Sequence, residues 1–145
     1  MNAQAIEYPF EMRHTVRRRP RVLIADDDSD LRRLVVAAFR KEDCETIEVD
    51  NGSALLDYLG SWILSPGRCR SPDVIVSDIF MPGFSGLDVL GGLRHGGWSK
   101  PVVLMSAFDD FTVRRKAQDL GAAAILHKPF DMKDLKAKVF SLVRC

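Results

Sequence analysis

Five side chains able to do chemistry stand at the ends of short apolar runs. Asp26 and Asp27 follow the run from Val22 to Ala25, and Asp78 follows Val74 to Val76 after a single serine. Ser106 follows Val102 to Met105, and Lys128 comes just after the run from Ala122 to Leu126. Carboxylates gathered in one place repel, so either their pKa values rise or a cation sits among them. A hard divalent ion fits an all-oxygen set: Mg2+ takes one or two carboxylates together with waters and a phosphate, and Mn2+ accepts the same donors. One carboxylate then remains to act. Asp78 would attack phosphorus as a nucleophile and form an aspartyl phosphate. Lys128 and the Ser106 hydroxyl would meet the new phosphoryl oxygens, while the metal neutralises charge as it develops. Taken singly, each acid also reads as a loop residue or helix cap, and Asp28 does read as the cap of the first helix.

For these residues to meet, the chain must bring the ends of its apolar runs to one rim. A weaker run, Thr46 to Val49, makes a fifth. Between the runs lie segments with helical spacing, clearest in Leu31, Leu34, Val35, Ala38 and Phe39, which predict one buried face after Asp28 or Ser29 as N-cap. Others are predicted over about 52–60, 85–95, 111–120 and 131–143, the last opened by Asp131 with Leu135, Val139 and Leu142 on one side. Strand and helix alternate five times, and the runs are apolar on both faces, as in a parallel sheet covered on both sides. The predicted fold is α/β: a doubly wound five-stranded parallel sheet of order 2-1-3-4-5, a flavodoxin-like three-layer sandwich. In such sheets the site lies beyond the carboxyl ends of the strands, where the winding reverses between strands 1 and 3. Asp50 and Asn51, at the end of edge strand 2, stand too far away to join. Residues 61–72 (SWILSPGRCRSP) read as a surface loop of unusual length.

Composition excludes several classes. The chain of 145 residues, 46% apolar and 28% charged, has the size and balance of one globular domain. No apolar run approaches the roughly 20 residues that span a bilayer, and the N-terminus carries Glu7 and Glu11 without an apolar core, unlike a secretory signal. A cytoplasmic location is expected, without membrane contact. Cys44, Cys69 and Cys145 are odd in number and far apart, which suits reduced thiols. The net charge is +1. Arg13, Arg17, Arg18, Arg19 and Arg21 against Glu7 and Glu11 leave +3 within residues 1–21, so the remainder carries −2. Residues 1–20 read as a basic, disordered leader. No aromatic-interleaved basic patch follows, so nucleic-acid binding through this chain has little support.

Asp26-Asp27, the D-x-x-M-P-G stretch from Asp78 to Gly83, Ser106-Ala107 and Lys128-Pro129-Phe130 together resemble the receiver domain of bacterial two-component response regulators. The resemblance spans about residues 20–145 and implies one receiver domain over residues 21–145. It implies Asp78 as phosphoacceptor, Asp26, Asp27, Asp78 and the Phe80 backbone carbonyl as Mg2+ ligands, and Ser106 and Lys128 as phosphoryl contacts. Ala107, Ile125 and Pro129 fall in the switch region, with a cis Lys128–Pro129 bond. The partners implied are a sensor histidine kinase or histidine phosphotransfer protein and an unidentified downstream protein. The chain would catalyse only its own phosphorylation and dephosphorylation, as a monomer or weak homodimer. It would be a single-domain regulator or the receiver of a longer protein.

This sequence departs from the pattern at three places. Ile125 stands where many receivers carry an aromatic, so a ring swinging inward cannot be the readout there. Phe80 and Phe108 are apolar where polar groups are frequent; they either pack together or restrict attacking water and lengthen the life of an aspartyl phosphate. His127, by strand alternation, should point away from the site. Rival classes fit less well. A haloacid-dehalogenase-type phosphohydrolase needs a second acid where Phe80 stands, and a dinucleotide binder needs glycines where Asp26, Asp27 and Asp28 stand. The remaining alternative is a receiver-like interaction module that works without phosphorylation.

Overall fold

A computed structural model of the protein describes residues 19–65, 71–108 and 110–143. Five strands, β1 (Arg21–Ala25), β2 (Glu45–Val49), β3 (Val74–Asp78), β4 (Val102–Ser106) and β5 (Ala124–His127), form one parallel sheet in the order β2-β1-β3-β4-β5. This is the expected order. Every residue of β3 and β4 is buried, whereas edge strands β2 and β5 are mostly half-buried. The central runs are therefore apolar on both faces because both faces are covered.

Five helices among the described residues supply the cover: α1 (Ser29–Lys41), α2 (Gly52–Leu64), α3 (Gly86–His95), α4 (Phe111–Asp119) and α5 (Met132–Leu142). Alternation along the strands sorts them. Val22, Ile24, Val74, Val76, Val103 and Met105 pack with Val35, Val36 and Phe39 of α1 and Leu135 and Val139 of α5. The intervening Leu23, Ala25, Ile75 and Leu104 pack with α2, α3 and Ala117 of α4. The expected caps are in place. Asp28 accepts hydrogen bonds from the N–H groups of Asp30 and Leu31, and Asp131 accepts one from Lys133.

Two expectations need correction. Helix α2 continues to Leu64, so the stretch predicted as a loop over 61–72 is helical in its first part. Trp62 is the reason: it is buried in the core and meets Tyr58, one turn earlier, edge-on at 4.3 Å. On α1 the buried face runs through Val35, Val36 and Phe39, while Leu34 is 62% exposed. Leu34 lies at the margin of the apolar stripe, and the β-branched Val36 takes the inward place. Cys44 is buried, with its Sγ 3.9 Å from the Glu42 carbonyl. Cys69, Cys145 and nearly all of the proposed leader lie outside the described residues.

Candidate functional site

Strand parity decides which side chains meet. Asp26, Asp78 and Lys128 each continue the alternation that faces α1 and α5, two residues beyond Ile24, Val76 and Leu126. Neighbouring strands therefore deliver them to one spot. Lys128 Nζ stands 2.9 Å from Asp26 Oδ2 and 2.9 Å from Asp78 Oδ2. The other oxygens are held by backbone: Asp26 Oδ1 accepts from Asp28 N–H at 2.9 Å, and Asp78 Oδ1 from Phe80 N–H at 3.2 Å. Asp27 is exposed, and it offers an oxygen within 4.8 Å of oxygens of Asp26 and Asp78. Its carboxylate has no hydrogen-bonding partner among the described residues.

Burial and charge pull the pair in the site in opposite directions. Burial pushes the Asp78 carboxyl above its ordinary value, an effect that the Lys128 hydrogen bond and charge and the Phe80 N–H partly offset and that the charge of Asp26 reinforces. Burial alone would lower Lys128. Hydrogen bonds and charge from Asp78 and Asp26 outweigh it and hold the ammonium above its ordinary range. Three carboxylates face one ammonium, so with all three ionised the cluster carries a residual charge of −2. An oxygen-only set with that excess and an open, unpartnered Asp27 fits a hard divalent ion such as Mg2+.

Ser106 is on the other side of β4. It follows Leu104 on the face toward α3 and α4, and its hydroxyl donates to the Phe108 carbonyl at 2.9 Å and accepts from the Phe108 N–H at 3.1 Å. A narrow cleft of about 10 Å³, lined by Ser106, Phe108, Ile125 and His127 among others, lies beside it. That holds about one water and no aromatic ring, in keeping with Ile125 in place of a mobile aromatic. His127 lies on this side with Ile125, away from the acids. Lys128–Pro129 is cis and Ala107 is exposed. Phe80 and Phe108 do pack together, edge to face with centroids 5.2 Å apart, both largely exposed.

Two participants were missed from sequence. Arg32 on α1 donates from Nη1 to the Asp26 carbonyl at 2.8 Å and from Nε to Glu48 at 3.1 Å, bracing the end of β1 from behind. Gly52 opens α2 against the loop that follows Asp78, donating to the Pro82 carbonyl at 3.1 Å. An Asn-Gly pair after a strand signals a turn, and nothing local shows what it will touch. Asp50 stays apart, bonded to Asn51.

A parallel sheet of this order with three acids and a lysine at the ends of β1, β3 and β5 defines a class, and sequence comparison agrees with it. The profile of the response regulator receiver domain matches residues 22–140, and the chain belongs to that family. It is 38% identical over 125 residues to the response regulator protein PmrA of Pseudomonas aeruginosa, covering 86% of this chain and 52% of that protein. It is 32% identical to the transcriptional regulatory protein KdpE of Mycobacterium tuberculosis, covering 85% and 50%, and 33% identical to the DNA-binding transcriptional regulator NtrC of Escherichia coli, covering 81% and 24%. The chain thus spans about half or less of the length of these curated relatives. Among solved structures, a Francisella response regulator receiver domain superposes with a TM-score of 0.75 at 28% identity, covering 85% of this chain and 95% of that one. The chemotaxis response regulator CheY4 of Vibrio cholerae, at 21% identity and a TM-score of 0.74, shares the fold. No helix among the described residues is long and apolar enough to cross a membrane.

Proposed function

We propose that the protein accepts a phosphoryl group on Asp78 from a histidine kinase or histidine phosphotransfer protein and passes the signal to a downstream protein through a changed surface. The observation that carries this reading is the shared ammonium: Lys128 Nζ lies 2.9 Å from both Asp26 and Asp78, in a cluster whose third acid is open. In the transfer, an Asp78 oxygen bonds to phosphorus as the bond between phosphorus and the donor nitrogen breaks, the electron pair leaving with the imidazole. Asp26, Asp27, Asp78 and the Phe80 carbonyl would hold Mg2+, with Mn2+ able to replace it; the ion supplies charge neutralisation at the phosphoryl oxygens. Lys128 adds a fixed positive charge on the other flank, with no reorganisation needed as charge builds.

The signal would begin at Ser106. Its one hydroxyl proton is given to the Phe108 carbonyl, so contact with a phosphoryl oxygen requires it to leave Phe108. The loop that carries Ala107 and Phe108 then loses a tie, and with it the switch region including Ile125 and Pro129 is biased toward a second state. A module that works without phosphorylation would have no need of three converging acids and a lysine. The test is incubation with acetyl phosphate and Mg2+. Intact mass should rise by one phosphoryl group, and Asp78→Asn should abolish the rise; a gain that survives the substitution, or none in the wild type, would refute the reading.

A further inference from the structure

The loop after β3, residues 79–85, leans on the first residue of α2. Beyond the hydrogen bond from Gly52 N–H to Pro82, the two backbones are in close contact. A Cβ placed on Gly52 would lie 1.9 Å from the Phe84 carbonyl oxygen, 2.6 Å from its carbon and 2.8 Å from the Phe84 nitrogen. All three are main-chain atoms, which cannot rotate aside, so either the loop or the helix would have to shift. The same loop is pinned at its other end. Phe80 N–H is bonded to the Asp78 carboxylate, and Gly86 N–H donates to the Ile79 carbonyl at 2.7 Å. Phe80 therefore sits between two fixed points, with Pro82, whose ring fixes φ, just before the Gly52 contact.

We infer that Gly52 is a positioning residue for the metal site, although it opens the helix that follows the edge strand. By letting the backbone of residues 82–84 settle against the N-terminus of α2, it holds the Phe80 carbonyl where a Mg2+ among Asp26, Asp27 and Asp78 would meet it. The inference rests on the reading that Mg2+ binds there. What Gly52 supplies is space for a neighbouring main chain. Gly60, in the same helix, offers the control, because a Cβ there would meet nothing within 4 Å.

The experiment compares the wild type with Gly52→Ala, Gly60→Ala and the double variant. Alanine at 60 strengthens the helix, so the double variant regains stability lost at 52 without moving the loop back. Two quantities are read: the Mg2+ dissociation constant by calorimetry, and amide exchange at Phe80 and Gly86 without metal. Outer-sphere positioning residues typically change metal affinity about 10- to 100-fold. A weakening of that order is expected in Gly52→Ala and in the double variant, with faster exchange at both amides, while saturating Mg2+ restores labelling by acetyl phosphate. Gly60→Ala alone should match the wild type. Unchanged affinity in Gly52→Ala, or affinity that returns with stability in the double variant, would overturn the inference. A wild type that binds no Mg2+ would remove the underlying reading instead, and the inference with it.

Discussion

The floor and the rim of the carboxylate site are built in opposite ways. On the floor, Asp26 is 0% and Asp78 6% exposed, and both grip the same lysine. On the rim, Phe80, Phe108 and Phe111 are 44%, 64% and 75% exposed, and they border an open groove beside Asp110. The floor stands on strand ends, whose positions follow from the register of a buried sheet: Ala25 pairs with Ser77, and Asp78 with Met105. On the rim, Phe80 and Phe108 stand on loops that only side-chain contacts and a few hydrogen bonds place, and Phe111 stands on the first turn of α4. The floor should therefore set whether phosphoryl transfer occurs, and the rim how long its product lasts and what touches it.

The largest effect is expected where the floor is broken. Lys128→Ala leaves two buried carboxylates facing each other, and losing one partner of a buried ion pair costs about 3–5 kcal/mol. Urea denaturation without metal should show a loss of that order, partly recovered by Mg2+. Wild-type stability in this variant would mean that charge does not hold the floor together.

Acidity sharpens the same point. Burial holds the Asp78 carboxyl above its ordinary value, so the folded chain binds that proton more tightly than the unfolded one. Its contribution to stability is fully present below the ordinary value of 3.8 and is lost as pH rises through the folded value. Held among these acids, Mg2+ would compete for the same oxygens, and should raise the melting temperature at neutral pH but not once Asp78 is protonated. Titration of the Asp78 carboxyl without metal, followed by NMR, should give a midpoint above 3.8. A midpoint at or below that value would contradict a buried nucleophile.

Changes at the rim should be smaller and kinetic. Hydrolysis of an Asp78 phosphate requires a water oxygen to attack phosphorus as the bond to Asp78 breaks, and the packed Phe80–Phe108 pair would restrict that approach. Serine at both positions should shorten the life of the phosphorylated protein several-fold, with the single changes non-additive because the rings act together. A longer life in the double variant would show that the rings do not restrict water. The smallest effect is expected at Phe111, where serine should change stability by less than about 0.5 kcal/mol and leave that lifetime unaltered. If it matches the pair, the rim works as one patch.

Much of the floor was legible in the sequence, for a physical reason. A strand carries its side chains alternately to two faces, so the ends of apolar runs locate Asp26, Asp78 and Lys128 once the strand order is deduced. The same parity places Ser106 on the opposite face, a step that counting strand ends leaves out. Caps such as Asp28 and Asp131 were readable because they act within three residues. What was not readable is long-range and local to no motif: the inward turn of Trp62 that extends α2, the outward turn of Leu34, and the contact of Gly52 with Phe84, which depends on the path of a loop far along the chain.

A phosphoryl group received by one buried carboxylate can be located chemically. Borohydride reduces an aspartyl phosphate to homoserine, so peptide mapping after treatment with acetyl phosphate, Mg2+ and borohydride marks the modified position. Homoserine at residue 78 alone is the predicted result. Homoserine at 26 or 27, or unmodified aspartate at all three, would contradict it.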